Sequence, residues 1–308
     1  MISDEDVGVP ADDLQAVAYG LAAGDSPYDK YGVWMSLNAG KATQKAMKGN
    51  AGFKSHSEGF ALGVDTMINE RTSVGVTVSN VLNHIKHKDD IIGNKTDTSS
   101  WVGAIYGNRQ LKNDWFIRGA ALFNRTRMNS KELRRVQGGY GIAQAKYNLI
   151  SYGGEASIGF AHRFKNELIL TPSIGFRVLH NNKLSYGQEG DTYQNNKSST
   201  NAMDNYSALA GLSLSKSFMK YDISIVPEAH VNLQYGVNQK TPTGTFVSAL
   251  TPNQTTNFIG AKADKIVSTY GVSLTGSTDR FECGITGDVS IATKYVGYQG
   301  SLKLKVKF

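Results

Sequence analysis

Residues 298–308 read Tyr-Gln-Gly-Ser-Leu-Lys-Leu-Lys-Val-Lys-Phe, and their alternation decides the fold class. Leu302, Leu304, Val306 and Phe308 share one parity; Lys303, Lys305 and Lys307 share the other. Successive side chains of a strand point to opposite faces, so the segment predicts a strand with one apolar and one cationic face, ending on an aromatic. The same two-residue period recurs along most of the chain, and no apolar run is long enough for a membrane helix.

Working outward, 221–237 repeats the pattern most clearly. Tyr221, Ile223, Ile225, Ala229, Val231, Leu233, Tyr235 and Val237 oppose Asp222, Ser224, Glu228, His230, Asn232 and Gln234. Pro227 interrupts the apolar set and is tolerable at a bulge or irregularity. In 167–178, Leu168, Leu170, Ile174, Phe176 and Val178 oppose Thr171, Ser173, Gly175 and Arg177. The stretch 267–275 behaves alike, while the outward parity of 97–110 stays open because both faces carry apolar residues.

Candidate strands run roughly 31–44, 52–67, 71–86, 97–110, 114–128, 146–164, 167–182, 203–218, 221–237, 264–277, 280–291 and 296–308, about twelve in all. Several exceed the ordinary soluble strand, and a tilted spanning strand needs about 9–11 residues. Long polar connections are expected near 45–51, 87–96, 129–145, 183–202 and 238–263. They alternate with tight turns at Asn69-Glu70, Leu111 to Asp114, Lys165-Asn166, Met219-Lys220 and Thr278-Asp279. Short turns on one rim and long loops on the other are the layout of an outer-membrane barrel. A soluble barrel would need its apolar face inside, and here that face carries more residues than the interior of a narrow cylinder could take.

Composition agrees. Apolar residues make up 40% of 308 and mean hydropathy is -0.32. Those values look soluble, but in a transmembrane barrel only alternate residues meet lipid. Tyrosines number 15 against 12 phenylalanines, as suits rings at a lipid–water boundary. The net charge of +7 is dispersed, with no dense basic block interleaved with aromatics, which argues against nucleic-acid binding. The lone Cys283 excludes an internal disulfide framework and a thiolate zinc site.

Residues 1–11 read as an extended acidic linker without the charged and apolar regions of a signal peptide; an exported protein would carry its signal upstream. Asp12 and Asp13 suit a helix N-terminus and Gly24 its end, so a short helix is expected over about 12–23. Its interior, with Leu14, Ala16, Tyr19, Gly20 and Ala23, is mostly small. Such a helix fits a narrow tube, or lies on a surface.

Candidate chemistry is sparse. Gly24-Asp25-Ser26 resembles an esterase nucleophile block, but Pro27 follows and the triplet sits after a helix, which favours a cap and turn. His84 and His87 fall on opposite faces and read as a solvated loop rather than a metal pair. No metal or cofactor site is expected. The polar parity holds Asp65, Arg118, Glu155, Arg177, Asp222, Glu228 and His230, with Lys303 and Lys305 adding cationic character. A charge on the lipid face costs a few kcal/mol at the midplane, so these residues are expected to face the lumen. There they would pair with one another in water, or Arg118 and Arg177 would hold an acidic segment such as Asp12 and Asp13.

An acidic linker, a small-residue helix, about twelve strands and a terminal Phe308 together resemble the translocator domain of a type V autotransporter. The resemblance covers essentially the whole chain. Tyr31-Gly-Val-Trp34, Gly63-Val-Asp65, Asp191-Thr-Tyr-Gln194 and the 299–308 ending are similar to the rickettsial surface-antigen autotransporters in particular. The resemblance implies a linker and pore-threading helix in 1–30 and a single antiparallel transmembrane barrel in 31–308. It implies insertion in the outer membrane by the barrel-assembly machinery, which would read Tyr298, Leu304, Val306 and Phe308. It further implies a passenger upstream, carried to the cell surface, and a monomeric barrel whose pore the helix plugs. Some relatives cleave the passenger at an asparagine pair in the helix, but no asparagine precedes Asn38 here, so that self-cleavage is not expected. The rival functions are a passive porin, a barrel enzyme with its site among the long loops, and adhesion through the loops at 183–202 and 238–263.

Overall fold

A computed structural model describes residues 31–47, 51–88, 93–136, 138–190, 195–260 and 264–308. The strands are β1 (Tyr31–Gln44), β2 (Gly52–Asn69), β3 (Thr72–Lys88), β4 (Lys95–Gln110), β5 (Trp115–Val136), β6 (Gly139–Phe160), β7 (His162–Arg163), β8 (Leu168–Asn181) and β9 (Leu184–Gly190). They continue as β10 (Asn196–Thr200), β11 (Met203–Lys216), β12 (Phe218–Lys220), β13 (Ile223–Gln239), β14 (Thr243–Ser248), β15 (Thr255–Ile259), β16 (Ile266–Ser277), β17 (Phe281–Ala292) and β18 (Tyr295–Lys307).

Twelve of these, β1 to β6, β8, β11, β13 and β16 to β18, are the staves of one closed antiparallel barrel. Closure is made by β1 against β18, in register from Gly32 opposite Lys307 to Gln44 opposite Tyr295. A closed cylinder leaves no stave with an unpaired edge, which is the condition for a sheet to cross hydrocarbon. The alternation of 298–308 is thus the seam strand.

The sidedness is inverted relative to a soluble protein. Val33, Met35 and Leu37 on β1, Ile174 on β8, Val272 on β16 and Leu302 and Leu304 on β18 are exposed on the outside. Ile174 is 67% exposed and Val272 64%, whereas inward-facing Asn124, Thr126, Ser151 and Lys305 are at most 5% exposed. Aromatics gather near both rims of the outer wall. Tyr31, Trp115, Phe218 and Phe281 stand exposed toward one end, and Trp101, Phe123, Tyr152 and Tyr298 toward the other. Two such girdles are expected where amphipathic rings settle at the two lipid–water boundaries.

The register also assigns β4. Ala104 lies opposite Thr77 on β3 and Leu122 on β5. Val102, Ala104 and Tyr106 therefore turn inward and are buried, while Trp101 and Ile105 turn outward and are exposed. Pro227 sits opposite a gap rather than a bulge. β11 stops at Lys216 and β12 resumes at Phe218, leaving Val226 and Pro227 unpaired on that side while they stay in register with Thr275 and Leu274 of β16. A proline has no N–H to donate, so the ladder lapses for that step.

The terminal Phe308 N–H donates to the Tyr31 carbonyl at 2.9 Å, and the Tyr31 N–H returns to Phe308 at 3.3 Å. Both chain ends of the barrel thus share the rim of the short turns. The turn expected at Met219-Lys220 is displaced to Tyr221-Asp222, which hold φ of 52° and 62°. That left-handed pair is the geometry of a two-residue hairpin whose twist matches its strands. On the opposite rim, three expected loops contain strand. The stretch 129–145 is mostly the tips of β5 and β6, each of 22 residues. The stretches 183–202 and 238–263 carry β9, β10, β14 and β15, where β9 pairs with β6 and β10, and β14 with β10 and β15. Together they raise a wall on one side of the mouth. His84 and His87 likewise belong to β3 rather than to a loop: His84 Nδ1 pairs with Asp97 Oδ1 at 2.8 Å.

Candidate functional site

The lumen is where the polar parity converges, and strand register builds it. Asp65, Arg118, Glu155, Arg177, Glu228, His230, Lys303 and Lys305 all stand on the inward parity of their staves. Most of them are paired. Arg177 Nε donates to Glu155 Oε2 at 2.8 Å and Nη1 to Gln234 Oε1 at 3.1 Å, tying β8 to β6 and β13. His230 Nε2 lies 2.9 Å from Asp288 Oδ1, and its Nδ1 3.6 Å from Glu228 Oε1. Lys303 Nζ lies 3.5 Å from Glu282 Oε1. Cross-strand opposite charges stabilise a sheet, and burial away from bulk water strengthens them provided both partners stay.

A second cluster crosses the seam. Trp34 on β1 donates its indole N–H to the Tyr106 hydroxyl at 2.7 Å. Tyr106 faces Asp65 Oδ2 at 3.4 Å, and Asp65 Oδ1 lies 3.1 Å from Lys305 Nζ. These side chains lie nearly flat on the wall because glycines underlie them. A Cβ on Gly63 would collide with the Trp34 indole, and one on Gly32 with Lys305 and Asp65.

Arg118 is set apart. Its guanidinium rests 4.4 Å from the centre of the Phe116 ring, and its buried Nε has no hydrogen-bond partner among the described residues. The lumen it shares holds small residues, Ser173, Gly211, Ser213, Ser215, Ser273 and Thr275, with Glu228 opposite Ser215 and Ser273 and His230 opposite Ser213. The lumen therefore sets its ionic pairs among small hydroxyl residues that offer many weak hydrogen bonds and little steric relief.

The residues expected in the threaded helix, Asp12, Asp13, Leu14, Ala16, Tyr19, Gly20 and Ala23, lie outside the described residues, as does Gly24-Asp25-Ser26. Tyr298, Leu304 and Val306 are on the outer face of β18, and Phe308 follows its last residue. Sequence reasoning did not reach Trp34, Tyr106, Glu282 or Asp288. Their signal was their place on the inward parity, which for Tyr106 required the register of β4. Among the described residues no group of His, Cys, Asp and Glu could hold a metal ion.

The autotransporter beta-domain family matches residues 33–288. Outer membrane protein B of Rickettsia typhi is 29% identical over 299 residues, which is 94% of this chain and 18% of that protein. Outer membrane protein A of Rickettsia conorii is 28% identical over 303 residues, 94% of this chain and 14% of that protein. The chain thus spans less than a fifth of these relatives. The translocator domain of the autotransporter NalP from Neisseria meningitidis superposes with a TM-score of 0.71 at 13% identity, covering 96% of this chain and 94% of that one. The beta domain of the Bordetella autotransporter BrkA gives 0.65 at 9% identity, covering 91% and 100%. At these identities the structural likeness speaks for the fold.

Proposed function

The chain belongs to the autotransporter beta-domain family, and from that premise we propose that it is the outer-membrane translocator of a longer protein, assisting an N-terminal passenger to the cell surface and anchoring it there. The observation that carries this is the closed twelve-stave barrel with an apolar exterior and an ionic lumen. Such a body is stable only with hydrocarbon outside and water or polar chain inside.

In this reading the passenger's C-terminal end runs through the lumen as the helix of about 12–23. The small hydroxyl residues among the ionic pairs suit a helix of small residues. The cation of Arg118 suits Asp12 and Asp13, because a buried guanidinium gains from a carboxylate that satisfies its remaining N–H groups. The helix would then enter β1 at the rim shared with Phe308, which is the periplasmic one. Phe308 and the outer face of β18 stand open to recognition by the barrel-assembly machinery before the seam closes. Seam closure leaves each stave paired on both sides, which favours a monomer.

The test is made on the full-length protein in a Gram-negative host. The passenger should become accessible to external protease when the barrel is intact and remain inaccessible when β18 is deleted. Separately, the chain in a planar bilayer should conduct weakly, and deletion of residues 12–23 should widen the channel severalfold. Passenger exposure without the barrel would defeat the assignment; an unchanged conductance would defeat the plug.

A further inference from the structure

We infer that the outer wall of β1 to β6 carries a built binding site for phosphorylated lipid headgroups of the outer leaflet. Strand register creates it. Lys54 on β2 lies opposite Lys86 on β3, Lys86 opposite Lys95 on β4, and Lys95 opposite Lys131 on β5. All four side chains are on the outward parity, so one unbroken cross-strand row presents four ammonium groups. With strands about 4.8 Å apart, the row is roughly 14 Å long.

The next row toward the membrane holds Lys41, His56, His84, Asp97, Asn129 and Lys146. Arg127 and Arg125 follow below it on β5, both exposed. Among the described residues the acids on this face are Glu58 and Asp97, with Glu189 of β9 at the end of the row two strands beyond Lys131, and Asp97 is engaged by His84. None of the four lysines in the row meets an acid within ion-pair distance among the described residues. Like charges directly opposite each other destabilise a sheet, so a row of four persists at a cost unless an anion lies along it.

The height of the row identifies the anion. At about 3.3 Å per residue and a tilt of about 40°, Lys86 stands roughly 15 Å above Asn80, which lies opposite Trp101 of the upper aromatic girdle. With that girdle at the lipid–water boundary, Arg125 opposite Trp101 stands at the boundary, Arg127 one row above it, and the lysine row over the headgroups from outside. Three rows below them Phe60 and Trp101 meet edge to face at 6.2 Å and cover outward-facing Asn80, giving acyl chains a flat aromatic floor. The row is one-sided: on β16, β17 and β18 the same outer rim offers Ile266, Ile291 and Val296, with Lys265 laid over the Tyr235 ring and Lys294 bonded to the Ala46 carbonyl. A lipid bearing two phosphates could bridge the row while its chains lie on the girdle, each lysine acting as a point charge.

The inference takes the long-loop rim as the external one, and its test is independent of passenger transport. The 308-residue chain, refolded in detergent, is titrated at low ionic strength with a bisphosphorylated glycolipid, with its dephosphorylated counterpart, and with inorganic phosphate. The phosphorylated lipid should bind at least about tenfold more tightly than the dephosphorylated one, and rising salt should erase the difference. K54Q/K86Q/K95Q/K131Q should lose the preference, and K216Q/K220Q, at the opposite rim, should keep it. Equal binding of the two lipids by the unaltered chain would overturn the inference whether or not the fourfold variant refolds. So would retention of the preference in a folded fourfold variant, or displacement of the lipid by inorganic phosphate at equal concentration.

Discussion

Lys305 Nζ lies 3.1 Å from Asp65 Oδ1, although the strands that bear them do not pair. β1 runs between β18 and β2, and the bridge passes over it at Gly32. The contact therefore exists only when the first strand has closed on the last. It reports closure of the cylinder, and it belongs to the same cluster as Trp34 and Tyr106.

Removing one partner of this bridge should be worse than removing both. Asp65→Asn removes one counter-charge from a buried ammonium and should cost about 2–4 kcal/mol. Asp65→Asn combined with Lys305→Met should recover a large part of that. Heat- or urea-dependent loss of the fast-migrating folded band on gels would measure both.

The glycine beneath Trp34 should tolerate no side chain. A Cβ at Gly63 has to displace the indole, a large ring already anchored to Tyr106, so Gly63→Leu should destabilise the barrel by at least about 2 kcal/mol. Trp34→Phe, which loses the hydrogen bond and keeps most of the ring, should cost about 1 kcal/mol. Unfolding curves followed by tyrosine and tryptophan fluorescence would separate the two.

Neighbouring positions on β8 should respond oppositely to charge. Ile174 is on the lipid face and Ser173 on the lumenal one. Ile174→Arg should lower stability in lipid by about 2–4 kcal/mol, with Ser173→Arg costing much less. If the two substitutions were equally tolerated in reconstituted membranes, the assigned sidedness would be wrong.

Loss of Phe308 should separate assembly from stability. Its backbone holds the rim by two hydrogen bonds with Tyr31, which a substitution keeps. Phe308→Ala should therefore refold in detergent nearly as well as the parent. In cells it should reach the outer membrane at a clearly lower level, measured by membrane fractionation and immunoblotting.

Replacing the lumenal hydroxyls should alter the pore more than the fold. Ser213→Leu and Ser273→Leu enlarge side chains in a hydrated lumen, with stability changes of about 1 kcal/mol or less expected. They should nevertheless reduce the rate at which full-length protein exposes its passenger, followed by protease accessibility after a pulse of synthesis.

Much of this was legible in the residues because the strand period is local. The alternation in 298–308 and 221–237 marks the faces without knowledge of any partner strand, and a charged face with an apolar opposite then demands hydrocarbon outside. The charged residues expected to line the lumen stand on the inward parity for the same reason, except Asp222, which the hairpin turn between β12 and β13 takes to the rim. Where both faces are apolar, as in 97–110, the local signal cancels. There the hydrogen-bond register with β3 and β5 turned Tyr106 inward and Trp101 outward.

What the sequence by itself determined is which residues share a face, the terminal strand and the membrane-spanning class, since each follows from side chains two positions apart. Only the tertiary structure decided who meets whom: Lys305 with Asp65, Arg177 with Glu155, and four lysines in one row. Those meetings depend on the stagger between strands far apart in sequence, which the cooperative closing of the whole cylinder sets and no single strand encodes.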